Sequence, residues 1–192
     1  MEKKAIIFDL YDTLIKIENK SKPYLYLLSH CIMDPKEVIE NVMTIDMVST
    51  TYCNQLIDTG KMKHTFNHAH FTKLLDAELE STVAFRDTYR VLNRLSQKYR
   101  LFLLSNLATP YKYPYYKLDL ERYIEKAFFS CECNDKKPNA SFFQKVLDYS
   151  RLQKEEILMI GDNPISDIKG AMDMGIDAIL KDNDLGIITA EL

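Results

Sequence analysis

No apolar run in the 192 residues approaches the roughly 20 needed to cross a bilayer, which excludes a helical membrane span. Cysteine is sparse. Cys31, Cys53, Cys131 and Cys133 do not amount to a disulfide framework at this length, so a reduced, cytoplasmic protein is expected. Met1-Glu2-Lys3-Lys4 leads straight into an apolar run, so no secretory leader is expected. Positive charge is not in excess: the formal net charge is −3, giving no general attraction to nucleic acid or anionic membranes. Internal repeats and low-complexity segments are also missing. The apolar and charged fractions, 46% and 28%, are those of an ordinary globular chain, long enough for one core and a modest insert.

The most informative stretch is Lys4-Ala5-Ile6-Ile7-Phe8-Asp9-Leu10-Tyr11-Asp12-Thr13-Leu14-Ile15. Ala5 to Phe8 show no polar alternation and predict a strand buried on both faces of a parallel sheet. Asp9 follows at the carboxyl end, where open α/β sheets place their ligand crevice.

From Lys22 to about His70 the character becomes helical. Pro23–Leu28 has proline in its first turn, and Asp34-Pro35 caps a second helix running to Met43. Further helices are predicted over Val48–Ile57, ending before Gly60, and over His68–Leu79. An α/β rhythm follows. Helices are predicted at Phe85–Tyr99, Leu118–Tyr123, Ser141–Leu152 and Ile165–Met174. Strands are predicted at Leu101–Leu104, Ala127–Cys131, Ile157–Ile160 and Asp177–Leu180. The fold class is therefore α/β, a doubly wound parallel sheet with an all-helical insert. The core is expected over 1–16 and 84–192, and the helical domain over 17–83.

Polar groups end three of the strands: Asp9, Ser105-Asn106 and Gly161-Asp162. Between the last two lies Lys136-Lys137-Pro138, where Pro138 holds Lys137 in extended conformations at a loop. The order Asp9, Ser105, Lys137-Pro138, Gly161-Asp162 with Asp167 following resembles the motif set of the haloacid dehalogenase-like (HAD) hydrolase superfamily. The resemblance covers about two-thirds of the chain. It implies a Rossmann-like HAD core carrying a small helical cap, and Asp9 as nucleophile forming an aspartyl intermediate. It also implies Mg²⁺ as cofactor, bound by the Asp9 and Asp162 carboxylates and the Tyr11 carbonyl. Asp167 is expected to be a weak ligand or to stand just outside the ligand set. Ser105, Asn106 and Lys137 would bind the phosphoryl group of a small phosphorylated substrate, and the physics agrees: a carboxylate cannot approach a polyanion without positive charge nearby.

One position departs from the pattern. Family phosphatases carry a second aspartate two residues after the nucleophile as general acid and base; here it is Tyr11. A phenol with a pKa of about 10 is a poor base at neutral pH. Asp12 is one residue off, and alternation along an extended backbone would turn it away from the Asp9 side. Tyrosine at this place resembles the metal-independent dehalogenase branch, whose halide leaves without a proton. That branch has Ser-Ser-Asn where this chain has Gly161-Asp162-Asn163, and tyrosine where it has Phe143. A Mg²⁺-dependent phosphatase is thus the leading expectation. A dehalogenase-like hydrolase and a catalytically weak binding protein are the alternatives.

Three lesser signals complete the reading. His64, His68 and His70 have ligand-like spacing but read mainly as packing histidines. Cys131 and Cys133 are expected on one face of a strand end. Tyr111 to Tyr116 is aromatic and basic, and is placed at the crevice mouth.

Overall fold

The structure is a computed structural model, described over residues 2–192. In chain order it contains β1 (Ala5–Phe8), β2 (Ile15–Ile17), α1 (Pro23–His30), α2 (Pro35–Thr44), α3 (Ser49–Asp58), α4 (His68–Glu80), β3 (Thr82–Ala84), α5 (Thr88–Leu95) and β4 (Arg100–Ser105). After these come α6 (Tyr113–Lys117), β5 (Lys126–Phe129), α7 (Ser130–Cys133), α8 (Ala140–Ser150), β6 (Ile157–Gly161), α9 (Gly170–Asp173), β7 (Asp177–Leu180) and α10 (Leu185–Ile188).

Five strands form one parallel sheet in the order β5-β4-β1-β6-β7. β1 is central and fully buried, as a strand with no polar residue must be. Its side chains alternate between two cores. Ile6 and Phe8 pack with Leu101, Leu103 and Ile160 beneath Val91, Leu92 and Leu95 of α5. Ala5 and Ile7 pack with Phe102, Leu104 and Met159 against Phe142, Phe143 and Val146 of α8. Full burial of each such side chain contributes about 1.5–3 kcal/mol. Strand order reverses at β1, so its carboxyl end faces the crevice.

Helices α1 to α4 enclose a separate core around Leu27, Val38, Cys53, Leu56, Phe71 and Leu75. Asp34 caps α2, accepting from the Lys36 amide at 2.8 Å, and Asn67 caps α4, accepting from the His70 amide at 3.0 Å. The chain leaves and re-enters the α/β part through β2 and β3, which pair antiparallel. This short ribbon was not expected. Three-residue strands such as Ile15-Lys16-Ile17 carry too little pattern to read.

Other boundaries moved as well. The helix expected over Phe85–Tyr99 is confined to Thr88–Leu95. Leu118–Tyr123 forms only a 3₁₀ turn at Glu121–Tyr123. Asp167 lies in a π-helical turn, Pro164–Lys169, preceding α9. The strand expected to reach Cys131 ends at Phe129, and Ser130–Cys133 coil into α7, so Cys131 and Cys133 do not share a strand face. The tail forms α10, held to α5 by the Asp87 carboxylate, which accepts from the Gly186 amide, and by Arg94, which donates to the Thr189 carbonyl at 2.7 Å. Among the described residues no helix is long and apolar enough to cross a membrane.

Candidate active site

The parallel register sets the site. Phe8 pairs with Leu103 and Ile160, so Asp9 stands level with Leu104 on one side and Gly161 on the other. The Asp9 amide donates to the Ile160 carbonyl at 3.0 Å, which fixes its backbone as the strand ends. Ser105, at the end of β4, is buried, and Asp162 follows β6 half-buried.

Lys137 comes from the loop between α7 and α8 and is pinned at its main chain. Asn106 accepts from the Lys137 amide and donates to the Lys137 carbonyl, both at 2.8 Å. The Asn106 amide group is therefore committed to holding Lys137, and any phosphate contact from this residue falls to its main chain. The lysine side chain is 1% exposed, and its ammonium lies 2.6 Å from Asp9 Oδ1 and 2.7 Å from Asp167 Oδ1.

Asp167 is in turn fixed by the π turn. Asn163 caps that turn, accepting from the Ile165 and Ser166 amides at 3.0 and 2.9 Å. The Asn163 amide donates to Asp167 Oδ2 at 3.0 Å. The Asp167 side chain lies so close over β6 that a Cβ on Gly161 would sit 2.3 Å from Asp167 Oδ2. Glycine is required there by the carboxylate above it.

Asp9, Asp162 and Asp167 each present a carboxylate oxygen within 4.8 Å of the others, the one such cluster among the described residues. Three carboxylates face one ammonium, so two negative charges are left uncompensated. Burial, together with Asp167 and Asp162, pushes the Asp9 carboxyl up to about 6 against the pull of Lys137. Burial, Asp167 and Asp12 raise Asp162. Burial works against the Lys137 charge, but Asp9 and Asp167 outweigh it and raise its pKa. Raised carboxylates around a surplus of negative charge fit a hard, oxygen-preferring divalent cation.

Tyr11 and Asp12 differ from the extended geometry assumed for them. Asp12 has a φ of 57°, so the chain turns and the alternation argument fails. Its carboxylate is exposed on the crevice side, near enough to Asp162 to raise that group. The Tyr11 hydroxyl donates to the Tyr111 carbonyl at 3.1 Å, with the two rings edge-on at 5.6 Å. The histidines do not converge on a metal site: His70 packs on Tyr26 and His68 on Phe66.

A model of the haloacid dehalogenase-like hydrolase family matches residues 6–181. The chain belongs to this family. A HAD family enzyme from Bacteroides thetaiotaomicron superposes with a TM-score of 0.75 at 19% identity, covering 98% of this chain and 99% of that one. Its complex with magnesium and inorganic phosphate gives 0.69 at 20% identity over 97% and 98%. A HAD phosphatase from Thermococcus onnurineus gives 0.60 at 18% identity over 95% and 89%. Among curated proteins, the zebrafish (Danio rerio) phospholysine phosphohistidine inorganic pyrophosphate phosphatase is 32% identical over 66 residues, 33% of this chain. That alignment spans about a quarter of the relative's length, 24%.

In this HAD hydrolase a cavity of about 360 Å³ lies between the α/β part and the helices, reached from the Tyr11-Asp12 turn. Glu78, buried on α4, closes part of it, accepting from the Lys22 amide at 2.7 Å and from the Tyr111 hydroxyl. Sequence reading passed over Glu78. The available signal was its place on the stripe Phe71, Leu75, Glu78, where helical spacing puts a carboxylate on a buried face. Tyr111 lines the cavity as expected of the aromatic segment, whereas Tyr113 and Tyr116 are exposed.

Proposed function

We propose that this hydrolase is a Mg²⁺-dependent phosphatase acting on a small phosphorylated metabolite through an aspartyl intermediate on Asp9. The observation that carries the reading is the retained carboxylate cluster of Asp9, Asp162 and Asp167 around a single lysine. A metal-independent dehalogenase would gain only repulsion from Asp162 beside its nucleophile. The magnesium and phosphate complex of the Bacteroides enzyme and the name of the curated phosphatases support the same reaction class.

In this reading Asp9 and Asp162 hold Mg²⁺ through their carboxylates and Tyr11 through its carbonyl, with Asp167 outside the ligand set because Lys137 and the Asn163 amide occupy it. An ion held there would offset charge on the phosphoryl oxygens. Asp9 attacks phosphorus, and Lys137 holds its carboxylate in place and balances its charge. Ser105 lies at the strand end from which its hydroxyl would bind a phosphoryl oxygen. Residues 17–83 act as the cap over the core formed by 1–16 and 84–192. Salt bridges from Lys112 to Asp46 and from Lys136 to Glu40 join the two.

The test is calorimetric titration of Mg²⁺, paired with phosphate release from a panel of phosphate esters and haloacids. Wild type should bind the ion and release phosphate only in its presence, and Asp162→Ala should do neither. Equal Mg²⁺ binding by the two proteins would overturn the assignment.

A further inference from the structure

We propose that the group this enzyme separates from phosphate is an aryl oxyanion, so that its substrate class is the monophosphate ester of a phenol-type hydroxyl. The inference rests on the phosphatase reading above and adds two observations that are independent of each other.

The first is the cavity. Its walls beside the Tyr11-Asp12 turn are Tyr11, Tyr24, Leu28, Val38, Val42 and Met43. A volume of about 360 Å³ suits a small ligand. The polar groups that reach it are few, and several are already engaged. The Asn106 amide clamps Lys137, and the Glu78 carboxylate holds the Lys22 amide and the Tyr111 hydroxyl. Asp12, Lys20 and Lys22 are exposed and stand at the rim. A sugar or polyol placed here would leave several hydroxyls without partners, which is unfavourable in a desolvated site. An aromatic ring would fill the space and meet tyrosine edges and aliphatic side chains.

The second observation is the fixed phenol two residues after Asp9. The Tyr11 hydroxyl donates to the Tyr111 carbonyl and is held edge-on against that ring. No carboxyl group occupies this position to protonate a departing alkoxide, and the neighbouring Asp12 is exposed and not among the groups that shift Asp9. An aryl oxygen, the conjugate base of a phenol with a pKa of about 10, leaves far more readily than an alkoxide without a proton. The Asp9 oxygen forms its bond to phosphorus as the phosphorus–aryl-oxygen bond breaks, and the electron pair leaves on the phenolate. Water then bonds to phosphorus as the bond between the Asp9 oxygen and phosphorus breaks. One of its protons stays on the departing hydrogen phosphate, the other passes to solvent, where the phenolate takes up a proton in turn, and the Asp9 carboxylate is restored.

The experiment is steady-state turnover by the wild-type protein with Mg²⁺ on four esters: acetyl phosphate, phenyl phosphate, cyclohexyl phosphate and ribose 5-phosphate. Cyclohexyl phosphate fills the same cavity but needs a proton on departure. Phenyl phosphate should exceed it in kcat by roughly 10²-fold or more, the lower end of what a general acid contributes. The KM for phenyl phosphate should lie at least about tenfold below that for ribose 5-phosphate. Phenylphosphonate should inhibit at least about tenfold more tightly than methylphosphonate, a readout independent of leaving-group chemistry. Val42→Trp, which fills the cavity, should erase that difference in inhibition. If cyclohexyl or ribose phosphate turns over as well as phenyl phosphate, or the two phosphonates inhibit equally, the inference is overturned. If acetyl phosphate is turned over and phenyl phosphate is not, the inference fails while the phosphatase reading stands. If acetyl phosphate is inert as well, both fail.

Discussion

Replacing Lys137 by methionine removes the only cation among three clustered carboxylates while keeping much of the side-chain volume. The ammonium lies 2.6 Å from Asp9 and 2.7 Å from Asp167, and the lysine and Asp167 side chains are each 1% exposed. At roughly 3 Å and an effective dielectric of about 20, each contact is worth about 5 kcal/mol before desolvation. Desolvating the ions takes back several kcal/mol, and breaking a buried pair by removing one partner costs a net of about 3–5 kcal/mol. For a chain of this size each kcal/mol moves Tm by about 2–4 °C, so Lys137→Met should lower it by roughly 6–20 °C. The assay is thermal unfolding at about pH 8 in chelator; without Lys137, whose charge and hydrogen bond lower the Asp9 carboxyl, that carboxyl rises further, so proton uptake offsets part of the loss and favours the lower end of this range. Asp167→Asn added to Lys137→Met should recover part of the loss, because it removes a carboxylate that no longer has a partner. Mg²⁺ should narrow the gap between wild type and Lys137→Met by supplying positive charge to the same cluster. A Lys137→Met protein that melts within about 2 °C of wild type in chelator would refute the electrostatic argument.

Two further outcomes follow from the same cluster. Gly161→Ala should displace Asp167 from Lys137, since the added Cβ would sit 2.3 Å from Asp167 Oδ2; a loss of about 1–3 kcal/mol, read from the denaturant midpoint, is expected, and an unchanged midpoint would contradict the packing described. In the metal-free protein the raised Asp9 carboxyl contributes stability that is present below its ordinary value of 3.8 and lost as pH rises through about 6, and burial with Asp167 and Asp12 raises Asp162 in the same direction. Mg²⁺ binds the ionised forms, so the Mg²⁺-induced rise in Tm should grow between about pH 5 and pH 7; an equal rise at both would count against these carboxylates as ligands.

Much of the fold was readable because β1, β4 and β6 carry uninterrupted apolar runs, which only a sheet covered on both faces can bury. The site was readable as far as strand ends and motif order go, which brought Asp9, Lys137, Asp162 and Asp167 to attention. What the chain order could not convey was how those groups hold one another. The two-way clamp of Asn106 on the Lys137 main chain joins residues 31 apart in sequence. The extended backbone expected at Asp12 does not form: its φ is 57°, a conformation aspartate tolerates better than most residues. Ser130–Cys133 was misjudged because a helical turn of four residues leaves no periodicity to detect. Glu78 illustrates the opposite case. Its position on an apolar stripe was visible, but its purpose depends on Tyr111 and Lys22, which meet it only in the folded chain.

The central claim is that Asp9 becomes phosphorylated during turnover. The direct measurement is rapid acid quench of the wild-type protein with Mg²⁺ and phenyl phosphate, followed by peptide mass mapping. One phosphoryl group on the peptide containing Asp9 is predicted for wild type and none for Asp9→Asn. Phosphate release by Asp9→Asn at the wild-type rate, or a phosphoryl group on any other residue, would contradict the account.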